Sequence, residues 1–156
     1  MYKVRQWSVS NSRILESLYS LFEPIFVLLH PLWKLVGYRR LEKPMRVVEK
    51  AVKNIMFDCQ MCGECALSST GMSCPMNCPK SIRNGPCGGV RLNGHCEIKP
   101  EMRCVWVEAW RGSQNMRKAE SIHRVQAPVD FSYKNTSSWL RVVRNQVAIR
   151  ESEEKL

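Results

Sequence analysis

At 156 residues the chain has room for one domain with a modest core, and it is too short for a TIM barrel of typically about 250 residues. Its formal charge is +10, yet the cations are spread: ten Lys/Arg precede Asp58, six lie from Asp58 to Arg111 and eight follow. With no long basic run and no nucleic-acid motif, this pattern argues against nucleic acid as a partner.

The first residues, MYKVRQWSVSNSR, are polar and charged and lack the apolar stretch and cleavage point of a signal peptide, so a reducing cytoplasm is expected. Residues 14–36 are the most apolar part, but Glu16, Glu23, Pro24, His30, Pro31 and Lys34 interrupt them, which argues against a membrane span. Ile14, Leu18, Leu21 and Ile25 step as on a helix, kinked or ended near Pro24, and a short segment with Phe26, Leu29 and Trp33 follows. So apolar a stretch exceeds what a small core absorbs, and residues 1–40 are expected to form a docking arm for a partner. Self-packing and contact with a membrane surface are the alternatives. Over residues 43–57, Met45, Val48, Val52 and Ile55 mark one apolar helical face, while Lys43, Arg46, Glu49, Lys50 and Lys53 are expected to stay wet.

All eight cysteines then fall between residues 59 and 104: Cys59, Cys62, Cys65, Cys74, Cys78, Cys87, Cys96 and Cys104. Three thiols at steps of three, and Cys78 followed directly by Pro79, resemble the way a chain wraps a cubane iron–sulfur cluster. Eight thiolates suffice for two [4Fe–4S] clusters. Four-cysteine zinc at one or both sites is the alternative, although zinc usually draws its ligands from two separated pairs. A disulfide framework fits a reducing compartment poorly. Either metal reading lowers the net charge, since four thiolates with their metal carry about −2 per site. Ferredoxin-type spacing predicts that Cys104 completes the set of Cys59, Cys62 and Cys65, leaving Cys74, Cys78, Cys87 and Cys96 as the second. His95 is expected to be a polar surface side chain. The module, mostly loop, should depend on metal for its fold.

Residues 99–112 suggest a helix with Pro100 and Glu101 at its start and Gly112 past its end, with Trp106 or Trp110 shielding Cys104. Residues 112–136 turn polar and suggest a linker or marginal helix. A last helix is expected from a Ser137 or Ser138 N-cap through Trp139, Val143 and Val147. The expected fold is therefore mainly α with irregular metal-stapled loops: a two-cluster cysteine-rich module over 41–111, flanked by N- and C-terminal helices (137–156). No phosphate-binding glycine loop, Cys/His pair or Ser/His/Asp set points to an active site of the chain's own.

The blocks CPMNCPK, NGPCGG, GHCE and CVW, in that order, resemble the cysteine-rich C-terminal domain of methylenetetrahydrofolate reductase. The likeness is strong over residues 41–111, extends to VDFSYKNTSSWLRVV, and is weak over 1–40. The resemblance implies that all eight cysteines are cluster ligands. It also implies a non-catalytic iron–sulfur subunit that passes electrons from an external donor to a flavin-containing TIM-barrel reductase of one-carbon folate metabolism. The flavin is then expected on the partner and not on this chain. The competing reading is a zinc- or cluster-stapled adaptor that holds the reductase together and carries no electrons.

Overall fold

The computed structural model describes residues 2–153. Six α-helices carry the fold: α1 (Tyr2–Ser10), α2 (Ser12–Leu28), α3 (His30–Val36), α4 (Tyr38–Phe57), α5 (Val105–Ser113) and α6 (Ser138–Glu153). The long passage between α4 and α5 holds only short 3-10 turns at Leu67–Ser69 and Pro75–Asn77 and two isolated bridges, Val90 with Cys96 and His95 with Arg103. The chain is thus mainly helical, with irregular cysteine-rich loops, and among the described residues none of its helices is long and apolar enough to cross a membrane.

Helix α4 is the hub, touching α1, α3 and α6, while α1 also lies against α5 and α2 against α6. Helix α2 does not end at Pro24. That residue lacks an N–H, so one hydrogen bond is lost, and the helix runs one turn further before Leu29 donates to the Ile25 carbonyl. Pro31 then opens α3, where its fixed φ suits the first turn.

The N-terminal forty residues divide in two. Residues 2–16 turn one face into the core, burying Ser8, Val9, Ser12, Leu15 and Glu16: Ser8 Oγ donates to the Met56 carbonyl at 2.9 Å, Ser12 Oγ to the Gly112 carbonyl at 2.7 Å, and the Glu16 carboxylate accepts from the Arg117 and Lys118 amides. From Leu18 onward α2 and α3 leave large apolar side chains in solvent, Leu28 and Leu35 being 78 % and 83 % exposed. Val27 is buried, and Phe26 and Trp33 are half-buried; these two stack on each other and Phe26 also meets Trp139 of α6.

The expected orientation of α4 holds only in part: Lys43 and Lys50 are exposed and Met45 is half-buried, as expected. Val48, Val52 and Ile55 face outward, whereas Glu49 and Lys53, expected to be wet, are 2 % and 5 % exposed. Lys53 Nζ donates to Glu49 Oε1 and to Ser138 Oγ, each at 2.7 Å, and Ser137 Oγ donates to Glu49 Oε2 at 2.7 Å. Burial is tolerable because the two charges are paired and hydrogen-bonded, which an unpaired ion could not match. The partners come from the start of α6, where Ser137 is the cap: its Oγ accepts from Leu140 N at 3.3 Å.

Helix α5 also differs from expectation. Cys96 N donates to the Met102 carbonyl and Cys104 N to the Gly94 carbonyl, both at 2.9 Å, so residues 99–104 are held by the neighbouring loop and the helix starts only at Val105. Gly112 lies inside it and not beyond it. A Cβ there would stand 2.0 Å from the Gly71 carbonyl oxygen, and one on Gly71 2.2 Å from that of Ala109. The backbones of the cysteine loop and α5 therefore touch directly. Gly112→Ala should force them apart and lower stability by about 1–3 kcal/mol, the usual range for overpacking, read as an earlier midpoint in a denaturant titration.

Candidate metal centre

Helix α4 ends in a left-handed residue, Asp58 (φ 53°), whose amide donates to the Asn54 carbonyl at 3.0 Å. That turn sends the chain sharply into Cys59. Further left-handed residues at Met61 and Gly63 fold the next stretch back on itself. Gly63 has no alternative, because a Cβ would stand 2.2 Å from the Tyr133 carbonyl oxygen. Asn135 N donates to the Met61 carbonyl at 2.9 Å, and Asn77 Nδ2 to the Phe57 carbonyl at 2.8 Å, so the loop is pinned from both sides.

This loop brings Cys59, Cys62, Cys65 and Cys74 to one cavity, whose wall also includes Glu49, Lys53, Glu64, Arg83, Thr136 and Ser138. Met61 N donates to Cys59 Sγ at 3.4 Å and Cys62 Sγ donates to the Glu64 carbonyl at 3.2 Å. Burial, with the neighbouring Cys59 and Cys65, pushes the Cys74 thiol up to about 12. The Cys59 thiol is raised too, again chiefly by burial. Four thiols enclosed together cannot all ionise unless a positive centre joins them, which is the service a bound metal performs.

The division of cysteines differs from the expected one. Cys74, not Cys104, stands with the first three. The 3-10 turn at Pro75–Asn77 explains it: Cys78 N donates to the Pro75 carbonyl and Asn77 N to that of Cys74, so the turn separates Cys74 from Cys78 by direction as well as by sequence. Cys78 instead packs against buried Cys96, Met102 and Val105. Cys104 heads α5 and packs with Trp106 and Ala109, and Cys87 lies beside Lys80. Cys78 and Cys96 thus share one packed cluster and Cys104 belongs to another.

Trp106 is buried and donates Nε1–H to the Ile82 carbonyl at 2.9 Å, whereas Trp110 is exposed. Of the two candidate shields for Cys104, the first is in place. His95 is half-buried, with Nδ1 2.6 Å from the Pro100 carbonyl. Among the described residues no three Cys, His, Asp or Glu side chains already converge as a ready-made grip for a single metal ion.

Two participants had not been anticipated. Arg83, 8 % exposed, reaches Cys62 Sγ with Nη1 at 4.0 Å and donates from Nη2 to the Glu64 carbonyl at 3.1 Å, while its Nε has no partner. Glu64 Oε2, also on the cavity wall, has no hydrogen bond, though Arg83 Nη2 lies 3.7 Å away. The other is Lys53. Burial acts to lower its pKa, but the Cys65 thiol and Glu49 outweigh this and raise it. A soft four-sulfur donor set beside orphaned buried polar atoms suits a metal–sulfur group, which fills space and accepts hydrogen bonds at its sulfurs.

The polar stretch 112–136 is strapped to these loops. Ser121 Oγ donates to the Ser68 carbonyl, Gln126 N to Asn84 Oδ1, and His123 lies edge-on to Trp110.

A helical scaffold that presents cysteine-rich loops, with four thiols lining one cavity, defines a small, mainly helical cysteine-rich module. A family model described as methylene-tetrahydrofolate reductase C terminal matches residues 38–132, and the chain belongs to that family. No curated protein and no solved structure matches it. Membership associates the chain with methylenetetrahydrofolate reductase.

The buried pair on α4 can be tested by itself. Burial tends to raise the Glu49 carboxyl, but Lys53 and the serine hydroxyls hold it below its ordinary 4.5. Its contribution is therefore present above 4.5 and lost as pH falls through the lowered value, whereas the contribution of Lys53 persists until pH rises past 10.5. Glu49→Gln should cost about 3–5 kcal/mol at pH 7 by stranding Lys53, and adding Lys53→Met should recover part of it. The penalty should shrink in acid. Denaturant melts at pH 7 and pH 3.5 check both statements.

Proposed function

We propose that the chain is the iron–sulfur electron-transfer subunit of a flavin-dependent methylenetetrahydrofolate reductase complex. The observation that supports this best is that Cys59, Cys62, Cys65 and Cys74 line one cavity in a chain of this family. Cys78, Cys87, Cys96 and Cys104 would hold the second group. Reduction of a folate methylene takes two electrons, delivered as a hydride by a flavin on the partner, and two [4Fe–4S] clusters when bound supply the one-electron steps that reload it from an external donor.

The chain's own residues then have definite tasks. Arg83 and the Met61 amide donate to ligand sulfurs and stiffen the first loop. Trp106 covers Cys104 against solvent. The partner would dock on the exposed apolar side of α2 and α3, where Leu21, Phe22, Ile25, Leu28, Leu32 and Leu35 stand in solvent. Deleting residues 1–40 is not a clean test of docking, because Ser8, Ser12 and Glu16 belong to the core.

Anaerobically loaded protein should be brown, absorb at about 400 nm and carry about eight iron atoms with little zinc. Stoichiometric zinc in place of iron would overturn the electron-transfer reading in favour of the adaptor. Spectral effects of Cys74→Ser should group with those of Cys59→Ser, and Cys104→Ser with Cys78→Ser. Leu28→Glu with Leu35→Glu should weaken co-elution with the cognate reductase at least tenfold, equal to about 1.4 kcal/mol, while the cluster spectrum stays as it was.

A further inference from the structure

We infer that Lys53 and Arg83 are positioning cations that raise the reduction potential of the group held by Cys59, Cys62, Cys65 and Cys74 above that of the group held by Cys78, Cys87, Cys96 and Cys104. The inference rests on the iron–sulfur reading of the site and adds a direction to it: an electron on this chain rests at the first set of thiols.

Both cations are buried on the wall of the same cavity, one from α4 and one from the loop after Cys78. An ammonium has three donors. Lys53 gives one to Glu49 and one to Ser138. Its counter-ion is itself compensated from another side, since Glu49 accepts from the Ser137 and Ser138 hydroxyls and from Trp139 N at the head of α6. The positive end of that helix holds the carboxylate, leaving the ammonium charge facing the thiols less than fully cancelled. Arg83 makes only a distant 3.7 Å contact with the Glu64 carboxylate, approaches Cys62 Sγ and keeps an unpartnered Nε.

Among the described residues, the cations beside the second set are each tied to a carboxylate: half-buried Arg103, next to Cys104, pairs with Glu108 at 2.7 Å. Lys80, the basic side chain beside Cys87, is solvent-exposed and already paired with Glu97. Water and salt screen an exposed charge, whereas a buried one acts through a weaker dielectric. One-electron reduction adds one negative charge to a cluster and its four thiolates. Buried cations stabilise that added charge, so the first set is reduced more readily.

The test is a dithionite titration of the loaded full-length chain followed by electron paramagnetic resonance, with the first-set signal identified by its change in Cys74→Ser. The wild type should show two midpoints, the higher belonging to that signal. Arg83→Gln should lower the higher midpoint by at least 59 mV, a tenfold change in a one-electron equilibrium, and leave the other in place. Arg83→Lys should retain most of the wild-type value. Glu64→Gln, which removes the weak counter-ion and none of the described hydrogen bonds, should move the same midpoint upward and keeps the inference testable if Arg83→Gln does not fold. The inference is overturned if the first-set signal has the lower midpoint, if the Arg83 and Glu64 variants leave it unmoved, or if Arg83→Lys shifts it as far as Arg83→Gln. Uptake of zinc instead of iron overturns the electron-transfer reading itself, a result distinguishable from iron-loaded protein with unaffected potentials.

Discussion

The buried ion pair of Glu49 and Lys53 decides how the rest of the chain is arranged. Residues four apart share one helical face, so the pair must go in or out together. Because the start of α6 supplies hydroxyls and an amide for the carboxylate, it goes in. Phe57, two turns beyond Glu49, is buried with it. Val48, Val52 and Ile55, a different face of the same helix, are then turned outward. The exposed apolar surface of α4 is thus the geometric complement of a buried charge, and it lies alongside the exposed part of α2: Tyr19, Phe22, Val52 and Trp139 line one apolar recess.

The pair also links scaffold and site. Lys53 lines the cavity of the first four cysteines, so the charge that fixes the orientation of α4 is the charge those sulfurs meet. Helix α5 makes a second link through the glycine contact between its last turn and the loop at Gly71. Loops with so little regular structure would otherwise have few ways to hold four sulfurs around a common space. They borrow rigidity from the ends of three helices.

The sequence announced much of this through local signals. Helix period, the serine cap of α6 and the crowded cysteines all depend on neighbours a few residues away, and the family blocks added the association with the reductase. What it concealed depends on distant partners. Nothing local marks Glu49 and Lys53 as buried, since their burial requires Ser137 and Ser138, although the i,i+4 spacing of opposite charges was a visible hint. Arg83 carried no hint at all. Pro100 and Glu101 look like a helix start, but pairing of Cys96 with Met102 and Cys104 with Gly94 spans that stretch first. Cysteine spacing suggested Cys104 for the first set because chain separation says little about the direction in which a 3-10 turn points its flanking residues.

The wall of the first cysteine cavity includes Thr136 and Ser138, and Gly63 is closed over by Tyr133. Its four sulfurs are all present once residue 74 has been made, yet the enclosure waits for residues 133–138. On a ribosome, these cysteines would therefore emerge well before the pocket shuts. The C-terminal segment acts as a late-arriving side of the vessel, so biosynthesis leaves an interval in which the thiols have all been made and are still open to solvent.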